Sequence, residues 1–138
     1  MKKEFYRDKR KGVYLTLTLE QSNGLISVDW SGFLSLAEIM NGSEETLLLI
    51  QEFKCTKLLV DNRKVSGPWQ HANRWYEEDW NPRAAQAGLS ALAFIMPSDL
   101  FTQLSLEGYV KVVNGLFATA IFKTEEDARS WLSEQTSA

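Results

Sequence analysis

The chain has 138 residues, 44% of them hydrophobic and 24% charged, with one cysteine, one histidine and a formal net charge of −3. That length suits one domain with its own core, and Cys55 with His71 supplies neither an intrachain disulfide nor a closed zinc site, so no metal or cofactor is expected. No apolar run approaches the roughly 18 residues of a membrane span, and none follows Met1-Lys2-Lys3 as a secretory leader would, so a cytoplasmic chain without stable membrane insertion is expected.

Residues 1–12 carry +4, which leaves −7 for the remainder. They read as a solvated, frayed basic tail ahead of a single domain over residues 13–134. An acidic body repels a polyanion, so nucleic acid is not an expected partner. Val13 to Leu19 then alternates strictly, with Val13, Leu15, Leu17 and Leu19 on one face, and Ile26, Val28 and Trp30 repeat the pattern after Asn23-Gly24. Period two on both sides of such a dipeptide predicts an antiparallel hairpin with a tight turn.

Ser35 or its neighbours can cap a helical segment through Met40. Ser43, with Glu44 and Glu45 behind it, reads as a second cap ahead of Leu47, Ile50 and Phe53. Asn41-Gly42 either kinks one helix or separates two. Lys57 to Asp61 predicts a buried central strand, followed by a loop over Asn62, Arg63 and Lys64 and by Ser66-Gly67-Pro68, with Pro68 as a first helical residue. The next helix carries Trp69, Ala72, Trp75, Tyr76 and Trp80 on one stripe, closed or bent at Asn81-Pro82. Leu89 to Met96 is another buried strand. Ser98 or Asp99 caps a helix that ends at Gly115, Leu116 to Phe122 is the last strand, and Thr124 caps a helix with Ala128, Trp131 and Leu132 at i, i+3, i+4.

The predicted order is ββαβαβαβα. It implies an α/β fold with a mixed sheet of about five strands, an N-terminal antiparallel hairpin joined to parallel strands by right-handed crossovers, and helices largely on one face.

Three stretches, taken with the opening hairpin, resemble the STAS/SpoIIAA-like superfamily, and more closely its small bacterial STAS/SEC14-like members. Leu58-Leu59-Val60-Asp61-Asn62-Arg63 is similar to the family's central strand ending in Asp. Trp75 to Met96, with Trp80, Pro82, Gly88 and Ala91-Leu92-Ala93-Phe94-Ile95, is similar to its helix-to-strand junction. Phe122 to Leu132 is similar to its closing strand and Trp-Leu helix. The likeness covers roughly residues 13–133. It implies a SpoIIAA-like fold and a non-enzymatic binding or regulatory role. In the anti-sigma-factor-antagonist branch a Ser or Thr after the strand-end Asp is phosphorylated; here Asn62 follows Asp61, so that acceptor is missing, and the nearby Ser66 sits in a turn. The SEC14-like label implies an apolar, lipid-like ligand.

Four groups of residues invite a functional reading, each beside a plainer one. Trp69, Trp75, Tyr76 and Trp80 either wall an apolar ligand pocket or a homodimer face, or bury themselves in the core. Asp61, Asn62, Arg63 and Lys64, between a strand and a helix, either hold an anion at the sheet's carboxyl end or form a solvated loop. His71 reads as a general base or as a structural histidine with no nucleophile beside it. Glu77-Glu78-Asp79 points three ways around a helix, and Arg74 with Glu78 makes an i,i+4 pair. The expected function is binding of a protein partner or a small apolar ligand; the alternative is a small hydrolase or transferase using His71 and Asp61.

Overall fold

Alternation and helical periodicity resolve into two faces of one sheet. The computed structural model describes residues 1–7, 12–68, 70–97 and 100–135. Six strands lie in chain order: β1 (Lys2–Tyr6), β2 (Val13–Glu20), β3 (Leu25–Gly32), β4 (Lys57–Val65), β5 (Ala91–Ile95) and β6 (Ala118–Phe122). β1, β2 and β3 pair antiparallel, and β3 to β6 pair parallel. The hairpin register sets Leu15 opposite Trp30 and Leu17 opposite Val28, so both apolar rows share a face, as period two requires.

Two expectations about the N-terminal strands need correcting. The sheet has six strands, not about five, because Lys2–Tyr6 is a strand paired with β2 and not part of a frayed tail. Its side chains are exposed save for half-buried Phe5, so it has no buried face to write an alternating pattern. The hairpin turn is also looser than a two-residue turn. Gln21–Asn23 forms a 3-10 turn, and Gly24 closes it in the left-handed conformation.

α1 (Leu36–Phe53) is one unbroken helix. Ser35 caps it reciprocally with Glu38: the Glu38 N–H donates to Ser35 Oγ at 3.1 Å and the Ser35 N–H to Glu38 Oε1 at 2.9 Å. Ser43 is therefore no cap but a buried residue in the helix interior. Gly42 is present because the helix touches the sheet there. A Cβ at this position would lie 2.6 Å from Leu15 Cδ2 and 2.6 Å from the Trp30 ring.

Residues 70–87 form one helical run: a 3-10 turn at Gln70–Ala72, α2 (Asn73–Trp75), a π turn at Tyr76–Trp80 and α3 (Asn81–Ala87). Pro82 does not end it. The π turn ends two residues before that proline, whose missing donor and ring a regular helix would not accommodate. α4 (Leu100–Val112) and α5 (Glu125–Glu134) complete the chain. The expected caps Ser98 and Asp99 lie outside the described residues. Thr124 caps α5 as expected, accepting from the Asp127 N–H at 3.1 Å.

The large core lies on one face, between the sheet and α1, residues 70–87 and α4. Among the described residues α5 alone covers the other face, where Ala128 and Leu132 pack on Leu25, Leu59, Ala91, Ala93 and Ile95. The helices thus sit largely on one face. Replacing Gly42 with Ala should destabilise the protein by about 1–3 kcal/mol through overpacking, despite the roughly 1 kcal/mol gain in helix propensity. Urea denaturation followed by circular dichroism measures the difference.

Candidate functional site

The aromatic stripe is mostly core. Tyr76 and Trp80 are 5% and 3% exposed, Trp75 is half-buried against the same core, and Trp69 lies outside the described residues. The π turn aims Tyr76 and Trp80 at one residue of α1. The Trp80 indole N–H donates to the Ser43 carbonyl at 2.7 Å, and the Tyr76 and Ser43 hydroxyls meet at 2.6 Å. Tyr109 of α4 stacks edge-on against Tyr76 and donates its hydroxyl to Asn81 Oδ1 at 2.8 Å. Burial pushes the Tyr76 and Tyr109 hydroxyls well above the usual phenol range, so both stay protonated and available for these bonds.

Beneath these rings lies a cavity of about 30 Å³, bounded by Trp30, Phe94, Tyr76, Trp80 and Tyr109. It could take a water or two; pockets for drug-sized molecules run from about 300 Å³ upward.

Asp61, Asn62, Arg63 and Lys64 do not form a loop, because β4 continues through them to Val65. Strand alternation then separates them. Asn62 is fully buried, and its amide makes no hydrogen bond among the described residues. Asp61 and Arg63 lie on the α5 side. Arg63 Nη2 bonds Asp61 Oδ2 at 2.8 Å and lies 3.6 Å from Glu125 of α5, while Lys64 Nζ lies 3.4 Å from Asp29 Oδ2. The cations are thus taken up by neighbouring carboxylates. Arg63 also borders an open basin of about 380 Å³ with Met96, Pro97 and Lys123.

His71 is exposed in the 3-10 turn on the helical side, whereas Asp61 faces α5, so the sheet stands between them. Glu78 pairs with Arg74 at 3.0 Å, Asp79 with Arg83 at 2.8 Å, and Glu77 accepts from Asn114 at 3.3 Å. The three acids diverge, as consecutive helical positions must. Among the described residues no group of three His, Cys, Asp or Glu side chains could hold a metal ion, and no helix is long and apolar enough to cross a membrane.

The sequence gives little sign of what stands at the carboxyl ends of β3 and β4. Phe33 is 66% exposed, yet the loop beneath it is firmly built. Its ring rests on Gly67, where a Cβ would lie 2.5 Å from the ring carbons and where φ is +86°. The Ser66 N–H donates to the Gly32 carbonyl at 3.1 Å, and the Thr102 hydroxyl donates to the Gly67 carbonyl at 2.7 Å. Arg7 lies over Gly32, donates to the Ser31 and Phe33 carbonyls, and pairs with Glu38 at 3.5 Å. Leu36 and Tyr6 are exposed at the same end of the sheet. Only the pair Phe33 and Leu36, apolar residues flanking a helix cap, hints at this in the sequence.

A crystal structure of an uncharacterised protein from Shewanella loihica PV-4, of the DUF3478 family, has this architecture. The two superpose with a TM-score of 0.51 over 95% of this chain and 93% of that one, at 15% identity. The fold is SpoIIAA-like. The chain matches no protein-family model, and no curated protein matches it. Within this SpoIIAA-like frame, the carboxyl ends of the parallel strands carry the exposed aromatic platform.

Two carboxylates on the α5 side should respond oppositely to pH. Burial pushes Asp29 above the usual carboxylate range, against the pull of Lys64. Its ionised form therefore costs stability once the pH passes its unfolded value, and Asp29→Asn should raise the melting temperature at pH 7. That gain should vanish below about pH 4, where both forms are neutral. Glu20 is held low by its bidentate bond with Arg129, at 2.9 and 2.7 Å. Its contribution is present at neutral pH and is lost as the pH falls through its folded value, so Glu20→Gln should lower the melting temperature at pH 7 only. Calorimetry across pH reads both.

Proposed function

We propose that this chain is a non-catalytic binding module whose target is another protein, docked on the Phe33 platform at the carboxyl ends of β3 and β4. The observation that carries the reading is a phenyl ring left two-thirds exposed on a loop fixed by Gly67, Arg7 and Thr102. A preformed aromatic anchor loses little entropy on binding, which is why such residues dominate protein interfaces. Phe33 lines neither of the two cavities described above. An exposed ring of this kind is well suited to burial against the surface of a macromolecule. The partner must bring an apolar patch to Phe33 and Leu36.

Two other readings have less support. A lipid-like ligand has no room in a cavity of about 30 Å³. A hydrolase or transferase using His71 and Asp61 needs both side chains in one cleft, and the sheet divides them.

The test is paired capture with the wild-type chain and Phe33→Asp as baits, followed by titration of the purified partner. Phe33→Ala should weaken binding at least tenfold, corresponding to about 1.4 kcal/mol, and Trp80→Phe should leave the affinity unchanged. Equal binding by wild type and Phe33→Ala contradicts the platform.

A further inference from the structure

The two edges of the sheet are built differently, and only one of them is closed to further strands. β1 carries Lys2, Lys3 and Glu4 and has an irregular register between Phe5 and Tyr6. Charge and bulges on an edge discourage pairing with other chains. β6, at the other edge, has the sequence Ala118-Thr119-Ala120-Ile121-Phe122, with no charge, no proline and a regular register against β5. No strand pairs with its outer side among the described residues.

The direction of the backbone groups on β6 follows from its inner bonds. The Ala118 N–H donates to the Ser90 carbonyl at 3.0 Å, and the Phe122 carbonyl accepts from the Met96 N–H at 2.6 Å. Along a strand, alternate residues turn their N–H and C=O to opposite sides. Ala118, Ala120 and Phe122 therefore face β5, while Thr119 and Ile121 turn both backbone groups outward.

We propose that this edge pairs antiparallel with β6 of a second copy, on a two-fold axis through Ala120, to give a continuous sheet across a homodimer. The pattern is self-complementary. Thr119 faces Ile121 of the second copy, and each such pair exchanges two N–H···O bonds, so all four outward groups of each strand are satisfied. Ala120 meets Ala120 of the second copy at a non-hydrogen-bonded position, where the strands' side chains come closest, and it has the smallest side chain able to stand there. On the other face Thr119 and Ile121 form β-branched cross-strand pairs, which stabilise sheets. An unrelated strand could satisfy the same hydrogen bonds. A second copy supplies a strand of matching length and outward pattern, with the small Ala120 at the axis. This surface lies apart from Phe33, so the pairing leaves the platform free in both copies.

Sedimentation equilibrium of the full chain over a dilution series tests the pairing. The expected result is a species of twice 15.7 kDa that dissociates on dilution. Thr119→Pro removes an outward N–H and no bond to β5, so it should raise the dimer dissociation constant at least about tenfold with an unchanged circular dichroism spectrum. Hydrogen exchange on the wild-type chain gives a second reading that needs no variant. The Thr119 and Ile121 amides should slow as the dimer fraction rises. A monomer at every concentration overturns the proposal, and so does a dimer in which those two amides exchange at the rate of exposed ones.

Discussion

Gly42 and Ser43 are where the helical layer is seated on the sheet and locked together. The Ser43 carbonyl accepts the Trp80 indole N–H and its hydroxyl meets that of Tyr76, and the contact exists because Gly42 lets α1 settle onto Leu15 and Trp30. One glycine thus sets the spacing of the two layers, and the next residue ties the helical run of 70–87 to α1. The consequence reaches the function. Rings used to close the core cannot also wall a roomy pocket, and the space left under them is about 30 Å³. On the reading proposed above, recognition falls to the loops at the sheet's carboxyl end and to the β6 edge.

The charged side chains point to the same conclusion. Asp29 faces Lys64, Asp61 and Glu125 share Arg63, Glu20 and Glu125 share Arg129, and Glu44 and Asp79 share Arg83. Paired in this way, the charges of the α5 side and of the α1–α3 junction cast little field beyond their own neighbourhood. Most of these pairs are at least partly exposed, and such pairs add little to stability. Their role is to hold α5 to β2 and β4, and α3 to α1. The surfaces proposed for recognition rely instead on an exposed ring at Phe33 and on the outward backbone groups of β6.

Most of this fold was legible in the residues. Leu15, Leu17, Ile26, Val28 and Trp30 announce a hairpin because one face is buried and the other is not. Thr124 with three acids behind it announces a helix start. β1 was illegible because a strand exposed on both faces has no pattern to display. Asn41-Gly42 was undecidable because the reason for that glycine lies in Leu15 and Trp30, distant in sequence. β4 ran past Asp61 because strand pairing with β3 outweighs the loop-like composition of Asn62-Arg63-Lys64. The aromatic stripe was visible, but its depth was not: a helical wheel gives direction, and only packing shows that Tyr76 and Trp80 are sealed. An exposed phenylalanine such as Phe33 becomes informative only when the loop that holds it is seen.

The account rests on the helical layer being closed at Ser43, and the Trp80 indole N–H reports this directly. In an amide-exchange experiment in D2O, with the indole signal assigned through Trp80→Phe, that proton should persist on the timescale of the slowest backbone amides of β4 and β5. Loss of the signal at the rate of an exposed indole would mean that the aromatic layer opens to solvent, and the cavity beneath it would again be the place to look for a ligand.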